Sequence, residues 1–231
     1  MGYANERGNP RSSLRTVRAA LVSCHVEKPL NDRVWERFDR LQSRRPGGFA
    51  IAALMRPPDS AHGENGDVWL PRARTAAARA PFGLHTHWTS PDHARPTDGD
   101  PAARVRQELA WLREHRLQPG FFCGGGWYTD DTVQRTVSEQ GIVDCTATTF
   151  PLPYGADARV VDGPRPGLIP ATHSLGMLVR SRRLPEFVHV YFHDTDLLDR
   201  KRVLALEVGL RVLAQRRPDS DLETVSAAFA R

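Results

Sequence analysis

The chain has 231 residues, of which 40% are hydrophobic and 26% charged, a composition that supports a sizeable core and excludes a disordered polymer. Its formal charge is +5 and its pI about 9.5, but the arginines are scattered and interleaved with acidic residues, with no basic stripe carrying stacking aromatics, so no nucleic-acid partner is expected. No apolar run approaches the roughly 18 to 20 residues of a membrane span, no charged-then-apolar leader opens the chain, and Cys24, Cys123 and Cys145 leave an odd thiol in any disulfide scheme, so a cytoplasmic protein is expected.

Residues 1–18 are rich in Gly, Asn, Ser and Arg without apolar periodicity, which predicts a flexible basic tail ahead of one domain over residues 19–231. Residues 19–27 are continuously apolar until His25 and Glu27 and read as a buried strand. Asn31 and Asp32 cap a helix whose Trp35, Phe38 and Leu41 recur at helical spacing, and the PGG at 46–48 stops it. A second strand is expected over 49–54. A helix follows over 68–80, with Pro71 in its first turn.

The stretch PFGLHTHWTSP at 81–91 is an apolar strand ending in two histidines. At strand spacing His85 and His87 share one face while Thr86 points away, and paired neutral imidazoles make a natural edge for a divalent metal. The long polar loop 89–99 comes next, then a helix over 101–116. A short strand over 119–123 runs into Gly124, Gly125 and Gly126, whose spacing fits neither a P-loop nor a dinucleotide fingerprint and reads as a structural turn. A helix from about 129 to 141 leads to a strand over 142–146. The Pro/Gly-rich connection 147–166 has room for a short strand at 159–161; a strand at 168–170 and a helix at 175–182 are expected after it. Residues 186–194, EFVHVYFHD, give the clearest strand, and a helix over 200–216 follows.

Strand and helix alternate with connections suited to parallel crossovers, which predicts an α/β fold with a parallel sheet, open or closed into a barrel. In such folds the chemistry collects at the carboxyl ends of the strands. His25 with Glu27, His85 with His87, Cys123, Asp144, and His193 with Asp194 are all expected there. His62, His93, His115 and His173 have weaker claims.

With these landmarks in place, VSCHVE, GLHTHW, PGFFCGGGWYTDD, GIVDCT and VHVYFHDTDLL in that order, the chain resembles the polysaccharide deacetylase-like family, the chitooligosaccharide deacetylase homology fold, over residues 19–225. The resemblance implies a distorted (β/α) barrel of about seven parallel strands and a divalent metal, zinc by expectation, in a deacetylase-type hydrolase that removes an acyl group from a sugar or glycoconjugate. It implies that His25, His85 and His87 hold the metal, that Glu27 is the general base and that His193 is the general acid. Asp194 joins the catalytic group by orienting a histidine, and Trp88, Cys123, Trp127 and Asp144 face the carbohydrate substrate. The chain departs from the family pattern where His25 and Glu27 replace an aspartate pair, where Thr89 stands at the second histidine of the family spacing, and where Cys123 replaces an arginine. Two other readings stand beside it. One is an amidohydrolase or polymerase-histidinol-phosphatase type metal hydrolase, which uses His-x-His on its first strand; the other is a non-catalytic barrel that binds a glycan or protein partner.

Overall fold

The computed structural model describes residues 18–154, 158–217 and 221–229. Apart from Arg18, the expected N-terminal tail lies outside the described residues. The elements run β1 (Ala19–Val26), α1 (Asp32–Arg44), β2 (Ala52–Met55), α2 (Gly66–Arg79), β3 (Phe82–Thr86), α3 (Pro101–Glu114), β4 (Phe121–Gly124), α4 (Asp131–Glu139), β5 (Val143–Asp144), β6 (His173–Ser174), α5 (Leu175–Arg180), β7 (Phe187–His193), α6 (Arg200–Arg216) and α7 (Leu222–Phe229). Asn31, Asp100, Asp130 and Asp199 each cap a helix through a side-chain oxygen, satisfying amide groups that the first turn leaves without partners.

All seven strands belong to one parallel sheet in the order β5-β4-β3-β2-β1-β7-β6. Parallel bridges Asp144↔Leu168 and Thr148↔Ala171 link the chain beyond β5 to the segment entering β6, so the sheet curls into a distorted barrel. The period-two alternation of a strand divides its side chains between two cores. Ala20, Val22 and Cys24 of β1, Leu84 of β3, Phe122 of β4 and Val190 of β7 face outward onto the helices. Ala19, Leu21, Leu54, Phe121 and Phe187 face the barrel interior, where Leu222 and Val225 of α7 join them. His25, His85, Cys123 and His193 follow the inward phase near the carboxyl ends of their strands, and the register sets His25 level with His193 and His85 level with Cys123.

Some expected elements differ. The second strand begins at Ala52, because the backbone turns at Arg45 (φ 46°) and Gly47 (φ 70°) and pairing with β1 starts only at Ser23↔Ala52; Phe49 and Ile51 are core residues ahead of the strand. Asn65 starts α2 two residues earlier than expected, so Pro71 sits in its second turn. Val160 and Leu168 make isolated bridges in place of strands, and the sixth strand forms at His173–Ser174. No expectation covers α7. No helix among the described residues is long and apolar enough to cross a membrane.

Candidate metal centre

Five side chains meet at the barrel mouth. The Oε1 of Glu27 lies 3.5 Å from His85 Nε2, 3.6 Å from His87 Nε2 and 3.6 Å from His193 Nε2. The His25 ring stacks on His85 with centroids 4.7 Å apart and meets His193 edge-on at 5.1 Å.

The hydrogen bonds on the far sides of two of these rings fix their tautomers. His85 Nδ1 is 2.9 Å from the carbonyl oxygen of Cys123, and His87 Nδ1 is 3.0 Å from that of Pro91. A carbonyl only accepts, so each Nδ1 carries the proton, and in the neutral ring each Nε2 presents a lone pair. Both lone pairs point to the same ionised carboxylate oxygen. That convergence is repulsive unless a cation or added protons stand between the groups. His87 Nε2 is buried without a hydrogen-bond partner, and a nearly inaccessible nitrogen in that state has forfeited its hydration.

Burial works against added protons on the two inner rings, His25 and His85. Burial, with the neighbouring His85 and His193, pushes His25 well below the usual imidazole range, and burial lowers His85 against the pull of Glu27. Burial also pushes the Glu27 carboxyl upward. Where the facing rings carry a proton on Nε2, hydrogen bonds from His85 and His87 and the charge of His193 outweigh that effect and hold it far below the usual carboxylate range. A carboxylate oxygen facing imidazole nitrogens is the donor chemistry of a divalent transition metal. The spacing fits as well, since two donors bonded tetrahedrally at ~2.1 Å stand about 3.4 Å apart.

Two overlapping groups of potential donors have ligand atoms within 4.8 Å of one another: Glu27, His85 and His87, and His25, His85 and Cys123. The expected trio of His25, His85 and His87 is therefore divided between them, with His85 common to both. His193 stands in neither group. It touches Glu27 from a half-buried position at the rim.

A cavity of about 190 Å³ opens beside this cluster, lined by His25, Glu27, His85, Trp127, Tyr154 and His193 among others. Tyr154 and His193 also border a groove of about 590 Å³ whose walls include Arg180, Lys201 and Arg202. Of the residues expected to face substrate, Trp127 lines the cavity, while Cys123 lies buried below it with its thiol pushed well up by burial. The structure does not bring Trp88, Asp144 or Asp194 there. Trp88 packs on Phe122 and Tyr128 and donates its indole N–H to Gly125. Asp144 is buried and accepts from the backbone N–H of Thr146. Asp194 is buried behind the site and accepts from the backbone N–H groups of Lys28 and Thr195, tying the exit of β1 to the exit of β7. Its carboxyl is pushed up to about 6 by that burial. Tyr154 comes from the Pro/Gly-rich connection, where no periodic pattern marks it; an aromatic amid turn residues is its one sequence signal.

The glycine run holds the His87 loop in place. A Cβ on Gly125 would stand 2.6 Å from the Thr86 oxygen and 2.8 Å from the His87 ring, and one on Gly124 would stand 2.1 Å from the Tyr128 oxygen. Gly126 has φ +60° and abuts the Arg95 side chain.

The fold and mouth define a class, a parallel β/α barrel with a histidine and carboxylate cluster at the carboxyl ends of its strands. No family model and no curated protein sequence matches the chain. Among solved structures it is similar to a mutant CE4 family pseudoenzyme with restored enzymatic activity (TM-score 0.54, 10% identity, 87% of this chain and 64% of that one). It is also similar to a 4-alpha-glucanotransferase from Thermococcus litoralis (TM-score 0.56, 10% identity, 91% and 38%). A protein assigned as a polysaccharide deacetylase involved in O-antigen biosynthesis, from Bordetella bronchiseptica, matches with TM-score 0.49 and 14% identity over 92% of each chain. The chain thus spans less than two thirds of the length of the first two. Its fold is a divergent polysaccharide deacetylase-like fold, and a fold of this kind does not by itself choose an activity.

Proposed function

We propose that the protein is a metal-dependent hydrolase that removes an acyl group from an amide or ester of a sugar or glycoconjugate. The observation that carries this reading is the convergence of the His85 and His87 lone pairs on one oxygen of Glu27, beside a cavity with an aromatic wall. Glu27, His85 and His87 would hold the ion, which when bound would polarise the acyl oxygen and make water acidic enough to attack near neutral pH.

The remaining roles fall to the chain's own groups. Expectation gave Glu27 to the base and His25 to the metal; the geometry favours the exchange. Glu27 faces two metal-type nitrogens, whereas His25 lines the cavity and is placed to take the proton of the attacking water. His193 touches Glu27 at the rim and gives a proton to the leaving amine or alkoxide. Trp127 and Tyr154 offer a stacking wall for a sugar ring, and the adjoining groove takes the rest of the substrate.

Metal content is the first test. Purified protein should carry a near-stoichiometric transition metal, and the double replacement His85→Ala with His87→Ala should lose it. No metal in the wild type after incubation with zinc, measured by elemental analysis, would remove this reading. A second reading, a non-catalytic barrel, is favoured by Cys123 at the arginine position and by Glu27 being the one carboxylate on the cavity wall among the described residues. Wild-type protein that holds metal but turns over neither acetylated sugars nor aryl esters would select it.

A further inference from the structure

Of the inner donor group, the hydrolytic arrangement leaves the Cys123 thiol unused. The His25 imidazole is 3% exposed, lines the cavity and makes ring contacts only, to His85, Trp127, Tyr191 and His193; neither of its nitrogens has a hydrogen-bond partner among the described residues. Beneath it lies the Cys123 thiol, fully buried on the inward face of β4, which meets its neighbour's carbonyl at 3.8 Å and the Thr146 side chain. The donor atoms of these two residues and of His85 lie within 4.8 Å of one another. Two imidazoles beside a thiol are borderline and soft donors, a different preference from the oxygen-bearing group above them.

We propose that the mouth contains a second, deeper metal position formed by His25, His85 and Cys123, selective for thiophilic ions such as zinc, cobalt and cadmium. It rests on the metal-centre reading only for the location, because His85 serves both positions. His85 has one nitrogen free for an ion, its Nδ1 being spent on the Cys123 carbonyl. The two positions are therefore alternatives, and an ion in the deeper one also takes His25 away from proton transfer. Filling it breaks the Cys123 S–H bond, forms a sulfur–metal bond and releases one proton to solvent, with no change of oxidation state.

Titration of the metal-free full-length protein with Co²⁺, followed by absorption, separates the outcomes. The expected result is binding of one equivalent with a near-ultraviolet sulfur-to-cobalt charge-transfer band alongside the visible ligand-field bands. Cys123→Ser should lose the charge-transfer band while still binding cobalt in the outer group. Glu27→Gln should keep the band. His25→Gln should weaken it, which guards against a Cys123 variant that merely misfolds; circular dichroism and melting temperature check each protein. Cobalt bound by the wild type with ligand-field bands alone overturns the deeper position and leaves the proposed hydrolase intact. No cobalt bound at all overturns both.

Discussion

His189 shows how a single buried side chain makes this barrel sensitive to acid. It lies on the inward face of β7 with Nε2 2.8 Å from the Ser23 hydroxyl, and burial pulls its pKa down to about 4 from an ordinary 6.5. Between those two values the unfolded chain binds a proton that the folded one refuses, so the contribution is fully present above pH 6.5 and is lost as pH falls through 4. Asp194 works the other way: raised to about 6 from 3.8, it keeps a proton in the folded state, and its contribution is present at low pH and lost as pH rises through 6. The two partly offset, which hides each in the wild type. His189→Gln, which can still meet Ser23, should therefore remove about 2 kcal/mol of the stability lost between pH 7 and pH 5. Urea denaturation at the two pH values measures this; an unchanged difference would mean that His189 is already protonated in the fold. At the mouth, His193→Ala should cost turnover of an N-acetyl amide far more than that of an activated aryl ester, because a good leaving group needs little protonation. Equal losses on the two substrates would assign His193 to positioning.

Among the elements, the β4 exit bears most directly on the site, because three consecutive glycines let it pass within contact distance of the His87 loop. Gly125→Ala would press a methyl group against the Thr86 and Ala94 carbonyls and the His87 ring, at 2.6, 3.0 and 2.8 Å. Backbone atoms yield little, so the expected cost is about 1 to 3 kcal/mol together with displaced His87 and weakened metal binding. Gly83→Ala crowds Leu54 and the Phe121 carbonyl lower in the barrel and should destabilise with less effect on metal, while Gly120→Ala meets nothing within 4 Å and is the control. Equal metal affinity in all three variants would deny that the glycine run sets the His87 position. Sequence alone goes a definite distance here. Strands β1, β3 and β7 are legible because they are apolar runs with a histidine at or near the carboxyl end, and period two then puts His25 with Glu27, and His85 with His87, on shared faces. The tautomers are not legible, because the Cys123 carbonyl that fixes His85 comes from another strand. The Pro91 carbonyl that fixes His87 comes from a loop fold that no periodicity encodes. The barrel's closure is also hidden, since β5 and β6 are two residues each and isolated bridges complete the ring between them.

At the scale of the whole molecule the barrel has two unlike ends. The mouth carries polar groups facing a cavity; the opposite end is sealed by Leu222 and Val225 of α7, 2% and 1% exposed, packed with Ala19, Leu21, Phe121 and Phe187. The helix has only eight residues and would be marginal alone, so its order depends on this burial. Six residue steps along β1 separate Ala19 from His25, a distance of ~20 Å at strand rise, which puts the seal and the histidine and carboxylate cluster of the mouth in separate layers of one interior. Leu222→Ala should therefore lower stability by about 2 to 4 kcal/mol, through lost burial and the cavity left behind, while metal affinity measured well below the melting temperature stays as in the wild type. The pair of measurements discriminates. If metal affinity falls in step with stability, the interior between the two ends transmits the loss and the layers are not independent; if neither changes, α7 is a surface appendage and the lower end is sealed by the strands themselves.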